Sequence, residues 1–221
     1  MKAMILAAGR GERMGELTRH VPKPLLKVAG RYLIDYSLHA CKEAGIHDII
    51  INVSYHAEQI QQALRDCHHD GLRITYSIEP ERLETGGGIV NALPFFEDQP
   101  FLVLSSDIIS DFPLHTVMKP LKHLAHLVMV DNPSFHLEGD FGLNGELADL
   151  TALPKLTFAN IGIYHPDLFL HAARCRFPLN QLLFPAINKR LVTAEHYHGR
   201  WFNVGSPELL QEAQIFCCEK V

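Results

Sequence analysis

The chain has 221 residues, 47% hydrophobic and 20% charged, a balance that supports a buried core and excludes a disordered segment. Its net charge of −5 and the lack of a long Lys/Arg run argue against a nucleic-acid surface, while leaving room for a local basic patch facing a small anion. No apolar run approaches the roughly 18 residues of a membrane span, no signal peptide opens the chain, and Cys41, Cys67, Cys175, Cys217 and Cys218 form no C-x-x-C pair, so a reducing cytoplasm is expected.

Short apolar runs alternate with helical patterns. Met1 to Leu6 reads as a strand ending in a Gly-rich turn. Leu33, Ile34, Leu38 and Cys41 have helical spacing over 33–43, and Gly45 is a stop signal. Asp48 to Val53 reads as a buried strand, Ala57 to Leu64 as a helix, and Leu72 to Ile78 as a strand. Gly88 to Phe96 predicts a short helix and Phe101 to Leu104 another buried strand. Leu127 to Val130, Leu156 to Tyr164 and Leu191 to Tyr197 read as later strands. Pro207 to Cys218 reads as a closing helix, with Ser206 as N-cap and Pro207 at its first position.

This alternation predicts βαβ units: an α/β fold with a mostly parallel sheet covered by helices on both faces. One domain over 1–221 is expected, because no linker is rich enough in Pro, Gly or Ser to divide it. The irregular segment 132–155 reads as a lid or the rim of a pocket. Ligands in such sheets sit beyond the carboxyl ends of the strands, which points to the positions after Leu6, Asn52 and Leu104.

Several segments could carry chemistry there. In Leu6-Ala7-Ala8-Gly9-Arg10-Gly11-Glu12-Arg13-Met14, small residues let the main chain approach a ligand, and successive N–H groups can cradle an anion. Arg13 adds a planar donor fork suited to phosphate. A tight strand-to-helix turn with a solvated arginine is the alternative; a dinucleotide motif is disfavoured by Met14 at its third glycine position, and no Walker loop is present. In Pro22-Lys23-Pro24, two prolines fix the backbone around Lys23, which then serves either as an aimed point charge for a phosphate or as a surface lysine in a turn. Gly86, Gly87 and Gly88 permit close backbone approach to a ring or sugar, or form a plain loop. Asp107, just past a buried strand, suits Mg²⁺ or a turn cap. Asn203, in Trp201 to Ser206, would point into the same region.

These segments, in this order, resemble the sugar-1-phosphate nucleotidyltransferases over nearly the whole chain. L-A-A-G-x-G-x-R-M, P-K-P-L, a T-G-G segment, a strand-ending Asp and a late W-x-D-x-G are the family's features. LETGGG (83–88), AHLVMVDNP (125–133), GDF (139–141) and EHYHGRW (195–201) are similar to the short uridylyltransferases of bacterial cell-wall salvage, which favours UTP and N-acetylmuramate 1-phosphate. PKPLL and ETGGG also resemble mannose-1-phosphate guanylyltransferases.

The resemblance implies a Rossmann-like nucleotidyltransferase domain, Mg²⁺ as cofactor, a nucleoside triphosphate and a sugar-1-phosphate as partners, and a monomer. It places Ala8 and Gly9 against base and ribose, and Gly11, Glu12 and Arg13 at the triphosphate. Lys23 would contact the α-phosphate. Gly86 and Asn52 would line the base pocket, Ser105 and Asp140 would face the sugar, and Asp107 would ligate Mg²⁺.

Two departures stand out. Asn203 occupies the position of the family's late Asp, which lowers the expected metal affinity and leaves a non-catalytic nucleotide-sugar binding protein as an alternative. Ser105 stands where the similar uridylyltransferases carry Asn, and its shorter side chain weakens a sugar contact. The histidine pairs His68/His69, His123/His126 and His196/His198 read as surface or packing residues, Asp111 and Asp149 as turn residues, and Phe95, Phe96, Phe101 and Phe112 as core.

Overall fold

A computed structural model of the chain describes residues 1–66 and 71–218; Cys67, His68 and His69 lie outside them. In chain order the elements are β1 (Lys2–Leu6), β2 (Lys27–Val28), β3 (Arg31–Tyr32), α1 (Leu33–Glu43), β4 (Asp48–Val53), α2 (Ala57–Asp66), β5 (Arg73–Ile78), α3 (Glu84–Ala92), β6 (Phe101–Ser105), β7 (Ile108–Ser110), β8 (Ala125–Val130), β9 (Gly142–Asn144), β10 (Leu147–Asp149), β11 (Thr157–Tyr164), α4 (Asn180–Asn188), β12 (Val192–His196), β13 (Trp201–Asn203) and α5 (Pro207–Cys218). Tight 3-10 turns occupy Glu12–Thr18, Lys23–Leu25 and Leu93–Phe96.

Nine strands form one sheet in the order β5-β4-β1-β6-β11-β8-β12-β10-β9. From β5 to β6 all neighbours run parallel. β11 is antiparallel between β6 and β8, and β12 returns to parallel beside β8. The sheet is therefore mixed: its parallel half carries the loops after β1, β4 and β6, and the antiparallel strand β11 inserts next to them.

The strand sequences explain the layering. In β1, Ala3 and Ile5 face one side and Met4 the other, all fully buried. Such a run has no polar face, so both sides must be covered. On one side lie Ile34, Leu38 and Cys41 of α1 with Ile60 and Leu64 of α2. On the other lie Ile89 and Val90 of α3 with Leu183 and Ile187 of α4. Each fully buried Ile or Leu contributes about 1.5–3 kcal/mol by leaving water. α1 starts where the Tyr32 N–H donates to Asp35 Oδ2 at 3.1 Å, and α5 where the Leu209 N–H donates to Ser206 Oγ at 3.3 Å.

Three expectations are corrected. α3 begins at Glu84, not Gly88, so all three glycines lie inside it; their low helix propensity hides this. α4 is absent from the sequence reading because Pro185 sits within it and reads as a breaker. Segment 132–155 holds two strands the sequence does not show, β9 and β10, which extend the sheet beyond β12. Phe96 and Phe101 stack in the core at 3.8 Å between centroids, and Asp149 Oδ1 accepts the Thr151 N–H at 2.7 Å within its turn. No helix among the described residues is long and apolar enough to cross a membrane.

Candidate active site at the carboxyl ends of β1 and β6

The parallel strands deliver their following loops to one edge, where a cavity of about 340 Å³ opens. Its wall includes the whole run Leu6 to Arg13, then Lys23, Pro24, Asn52, Ser105, Ser106 and Asp107. Residues far apart in sequence converge because β1 lies between β4 and β6, with Leu6 paired to Asn52 on one side and Ser105 on the other.

The loop after β1 folds back on itself. The Met14 N–H and the Thr18 hydroxyl both donate to the Gly11 carbonyl, at 2.8 and 3.0 Å. Gly11 has φ +66°, and a Cβ there would stand 3.0 Å from Thr18 Cγ2 and 3.1 Å from Lys23 Cβ. A glycine is thus required both for the turn and for the approach of the lysine stem. Gly9, Arg10, Glu12 and Arg13 are exposed towards the opening.

Lys23 reaches across to Asp107. Its ammonium pairs with Asp107 Oδ2, while the Ser105 hydroxyl donates to Oδ1 at 2.5 Å. Both charged side chains are mostly withdrawn from water, at 12% and 18% exposure. Pro22 and Pro24 hold the tight turn that aims the lysine. Opposite charges so placed attract each other across the cavity and leave each ready to change partner when a phosphate or a cation arrives.

Asn203 approaches Asp107 through the short ladder of β13 and β7. It pairs with Ile108, and the next N–H, of Val204, donates to the Asp107 carbonyl at 2.9 Å. Asn203 Oδ1 is buried and has no hydrogen-bond partner among the described residues. An unpartnered buried amide oxygen costs free energy, so its retention one residue from the strand contact with Asp107 is informative. A carboxylate and an amide oxygen are hard donors of the type Mg²⁺ takes.

Three expected residues lie off the wall: Asn203, Gly86 and Asp140. Gly86 is buried behind the wall: its N–H donates to the Phe177 carbonyl at 3.1 Å, and a Cβ there would stand 2.3 Å from the Phe177 ring. Gly86 and Gly87 let α3 pack against residues 175–177, Gly88 lets it approach Glu79 and Asn52, and the wall positions belong to Glu84 and Thr85. Asp140 is also absent from the wall. Its Oδ2 accepts the Phe158 N–H at 2.8 Å and its Oδ1 lies 3.3 Å from His136 Nε2. That contact braces β11 just before its bulge, where Asn160, at φ +56°, enters the cavity wall.

The wall also holds Glu79, Arg82 and Asn160, which no sequence motif marks, together with Glu84, Thr85 and Gly205 from the LETGGG and Trp201 to Ser206 segments. Glu79, 1% exposed, is the most consequential. Its Oε1 accepts from Asn52 Nδ2 at 2.8 Å and its Oε2 from the Leu83 N–H at 2.9 Å. Asn52 Oδ1 in turn accepts the Ala7 N–H at 2.9 Å. Asn52 therefore lines the cavity with its amide already engaged on both ends, orienting the first turn of the anion-facing loop. No local pattern marks Glu79; its partner lies 27 residues earlier.

A helix-flanked sheet whose carboxyl edge gathers a glycine-containing loop, a lysine and its aspartate partner is the kind of place where α/β folds bind ligands. The profile of the nucleotidyl transferase family matches residues 2–219, and the chain belongs to that family. Among its relatives, it is 41% identical, over 97% of both chains, to the N-acetylmuramate alpha-1-phosphate uridylyltransferase of Neisseria meningitidis serogroup B. It is 29% identical to the mannose-1-phosphate guanylyltransferase catalytic subunit beta of Danio rerio over 94% of this chain, but spans only 62% of that relative. A crystal structure of HddC from Yersinia pseudotuberculosis complexed with GMP-PN shares the fold, with a TM-score of 0.81 at 20% identity, covering 98% of this chain and 99% of that one.

Proposed function

We propose that the chain transfers the uridylyl group of UTP to N-acetylmuramate 1-phosphate, releasing pyrophosphate and forming UDP-N-acetylmuramate in bacterial cell-wall salvage. The observation that carries the reading is the meeting of Arg13, Lys23 and Asp107 on one cavity wall, in a chain 41% identical over 97% of its length to a uridylyltransferase of that specificity. The same reading places the protein in the cytoplasm, where its nucleotide donor is, and the likeness to the short uridylyltransferases makes it a monomer.

An oxygen of the sugar phosphate bonds to the α-phosphorus of the triphosphate. The bond from that phosphorus to the β-bridging oxygen breaks, and pyrophosphate leaves with the electron pair. The attacking group is already an anion, so no strong base is required; the difficulty is bringing like charges together. Lys23 exchanges Asp107 for the α-phosphate and holds the charge that grows there. Arg13 steadies the leaving pyrophosphate with its planar fork, and the loop of Gly11 and Glu12 fixes the triphosphate's direction. Ala8 and Gly9 give the base and ribose a flat approach, with Asn52 holding that loop in place and Gly86 holding α3. Ser105 and Asn160 face the sugar, with Asp140 bracing the latter's bulge. Asp107 and Asn203 would hold Mg²⁺, which supplies positive charge to the phosphates when bound.

The test is pyrophosphate release across UTP, GTP, CTP and dTTP against a panel of sugar-1-phosphates. Release confined to UTP with N-acetylmuramate 1-phosphate supports the proposal. Release confined to GTP with mannose 1-phosphate makes the chain a guanylyltransferase, and binding of nucleotide-sugar without release makes it a binding protein in which Asn203 has cost turnover.

A further inference from the structure

Two strands beyond β11 on the same edge of the sheet, β8 and β12 end side by side. His196 closes β12 and pairs in register with Met129 of β8. Asp131 follows β8 directly, and His198 lies two residues past His196. His196 Nε2 stands 2.9 Å from Asp131 Oδ1, and the two imidazole rings lie 3.9 Å apart between centroids at 48°. One donor atom from each of the three residues falls within 4.8 Å of the others.

Local spacing gives only a His-x-His pair. The fold supplies the third donor, 65 residues from His196. Ligand atoms sharing a zinc ion at about 2.0–2.2 Å lie roughly 3–4 Å apart. The existing cluster reaches that size by small side-chain rotations, and the strand pairing that sets its backbone positions is already in place. Two imidazoles and one carboxylate are borderline donors, matched to Zn²⁺, Ni²⁺ or Cu²⁺ rather than to Mg²⁺ or Ca²⁺. Asp131 is 78% exposed, so an ion has an entry path and open positions for water.

We propose that Asp131, His196 and His198 form a second metal site, for a late first-row divalent ion with Zn²⁺ foremost, separate from the oxygen-donor pair Asp107 and Asn203. The ion fastens the end of β8 to the end of β12. It thereby stiffens the chain after Asp131, where Asn132 Nδ2 donates to the Leu137 and Lys155 carbonyls at 3.0 Å each and the Thr157 hydroxyl donates to Asn132 Oδ1 at 2.8 Å. That chain leads to Asp140, the brace of β11. The site does not depend on which nucleotide or sugar the cavity takes.

The test is calorimetric titration of the full chain with zinc chloride in millimolar Mg²⁺, together with thermal melts. One Zn²⁺ per chain is expected, with a raised melting temperature. His198→Ala and Asp131→Asn each weaken binding by about tenfold or more, while their metal-free melting temperatures stay near that of the unaltered protein. Asp107→Asn leaves the zinc isotherm unchanged. No saturable binding at micromolar zinc, equal binding by His198→Ala, or loss of binding in Asp107→Asn would overturn the assignment.

Discussion

Glu79 is the residue whose loss should be felt most sharply beyond its own contacts. Its carboxyl group receives two donors, Asn52 Nδ2 at 2.8 Å and the Leu83 N–H at 2.9 Å, in a place only 1% exposed. Glu79→Ala strands both donors in a buried space. Each costs about 1–3 kcal/mol, so the loss is about 4 kcal/mol at the midpoint. For a chain of this size that lowers Tm by about 8–16 °C. Glu79→Gln separates orientation from volume. Its amide offers one acceptor and turns an NH₂ towards a donor. If Asn52 rotates to relieve that clash, its own NH₂ then meets the Ala7 N–H. One hydrogen bond in the chain is lost either way, which predicts about half the penalty of the alanine variant. Urea unfolding of the three proteins, with KM for the nucleotide measured alongside, is the assay. KM should rise in both variants, because the Ala7 N–H sets the first turn of the phosphate-facing loop. A Glu79→Ala protein within about 0.5 kcal/mol of the unaltered one, the spread of ordinary surface substitutions, would refute the reasoning.

Lys23→Ala should lower turnover by about 10²-fold or more, the usual consequence of removing one preorganised charge donor; a near-normal rate in a pyrophosphate-release assay removes Lys23 from the chemistry. Asn203→Asp adds a charged ligand beside Asp107 and should shift the Mg²⁺ dependence of activity to lower concentration, and an unshifted curve removes Asn203 from the metal site. Burial pushes the Cys41 thiol up to about 12, whereas Cys175 is exposed. Mass mapping after treatment of the native protein with a thiol reagent at mildly alkaline pH should therefore find Cys175 labelled and Cys41 unlabelled, and early labelling of Cys41 would contradict the packing of α1 on the sheet.

What the sequence disclosed follows from the range of the physics involved. β4, α1 and α5 are legible at their observed bounds, since a short continuous apolar run, helical apolar spacing and a Ser-Pro start are local signals. The positions of Arg13, Lys23 and Asp107 were legible as well, because parallel strands send their loops to one edge. The partners that hold the site were not. Glu79 belongs with Asn52 only once β4 and β5 lie side by side, and the close approaches of Gly86 to Phe177, Gly87 to Cys175 and Gly88 to Glu79 are all long-range. The GDF setting of Asp140 gave no sign that its carboxylate also accepts the Phe158 N–H, 18 residues on. A motif shows which residue types recur together; it does not show which of them touch the cavity and which brace it.

The central claim is that Lys23 changes partner from Asp107 to the phosphate under attack. A crystal structure of the protein with UDP-N-acetylmuramate and Mg²⁺ tests it most directly. The account predicts Lys23 Nζ within about 2.7–3.2 Å of an α-phosphate oxygen, released from Asp107, whose carboxylate turns to the ion. An intact Lys23–Asp107 pair, with the phosphates bound away from both, would contradict it.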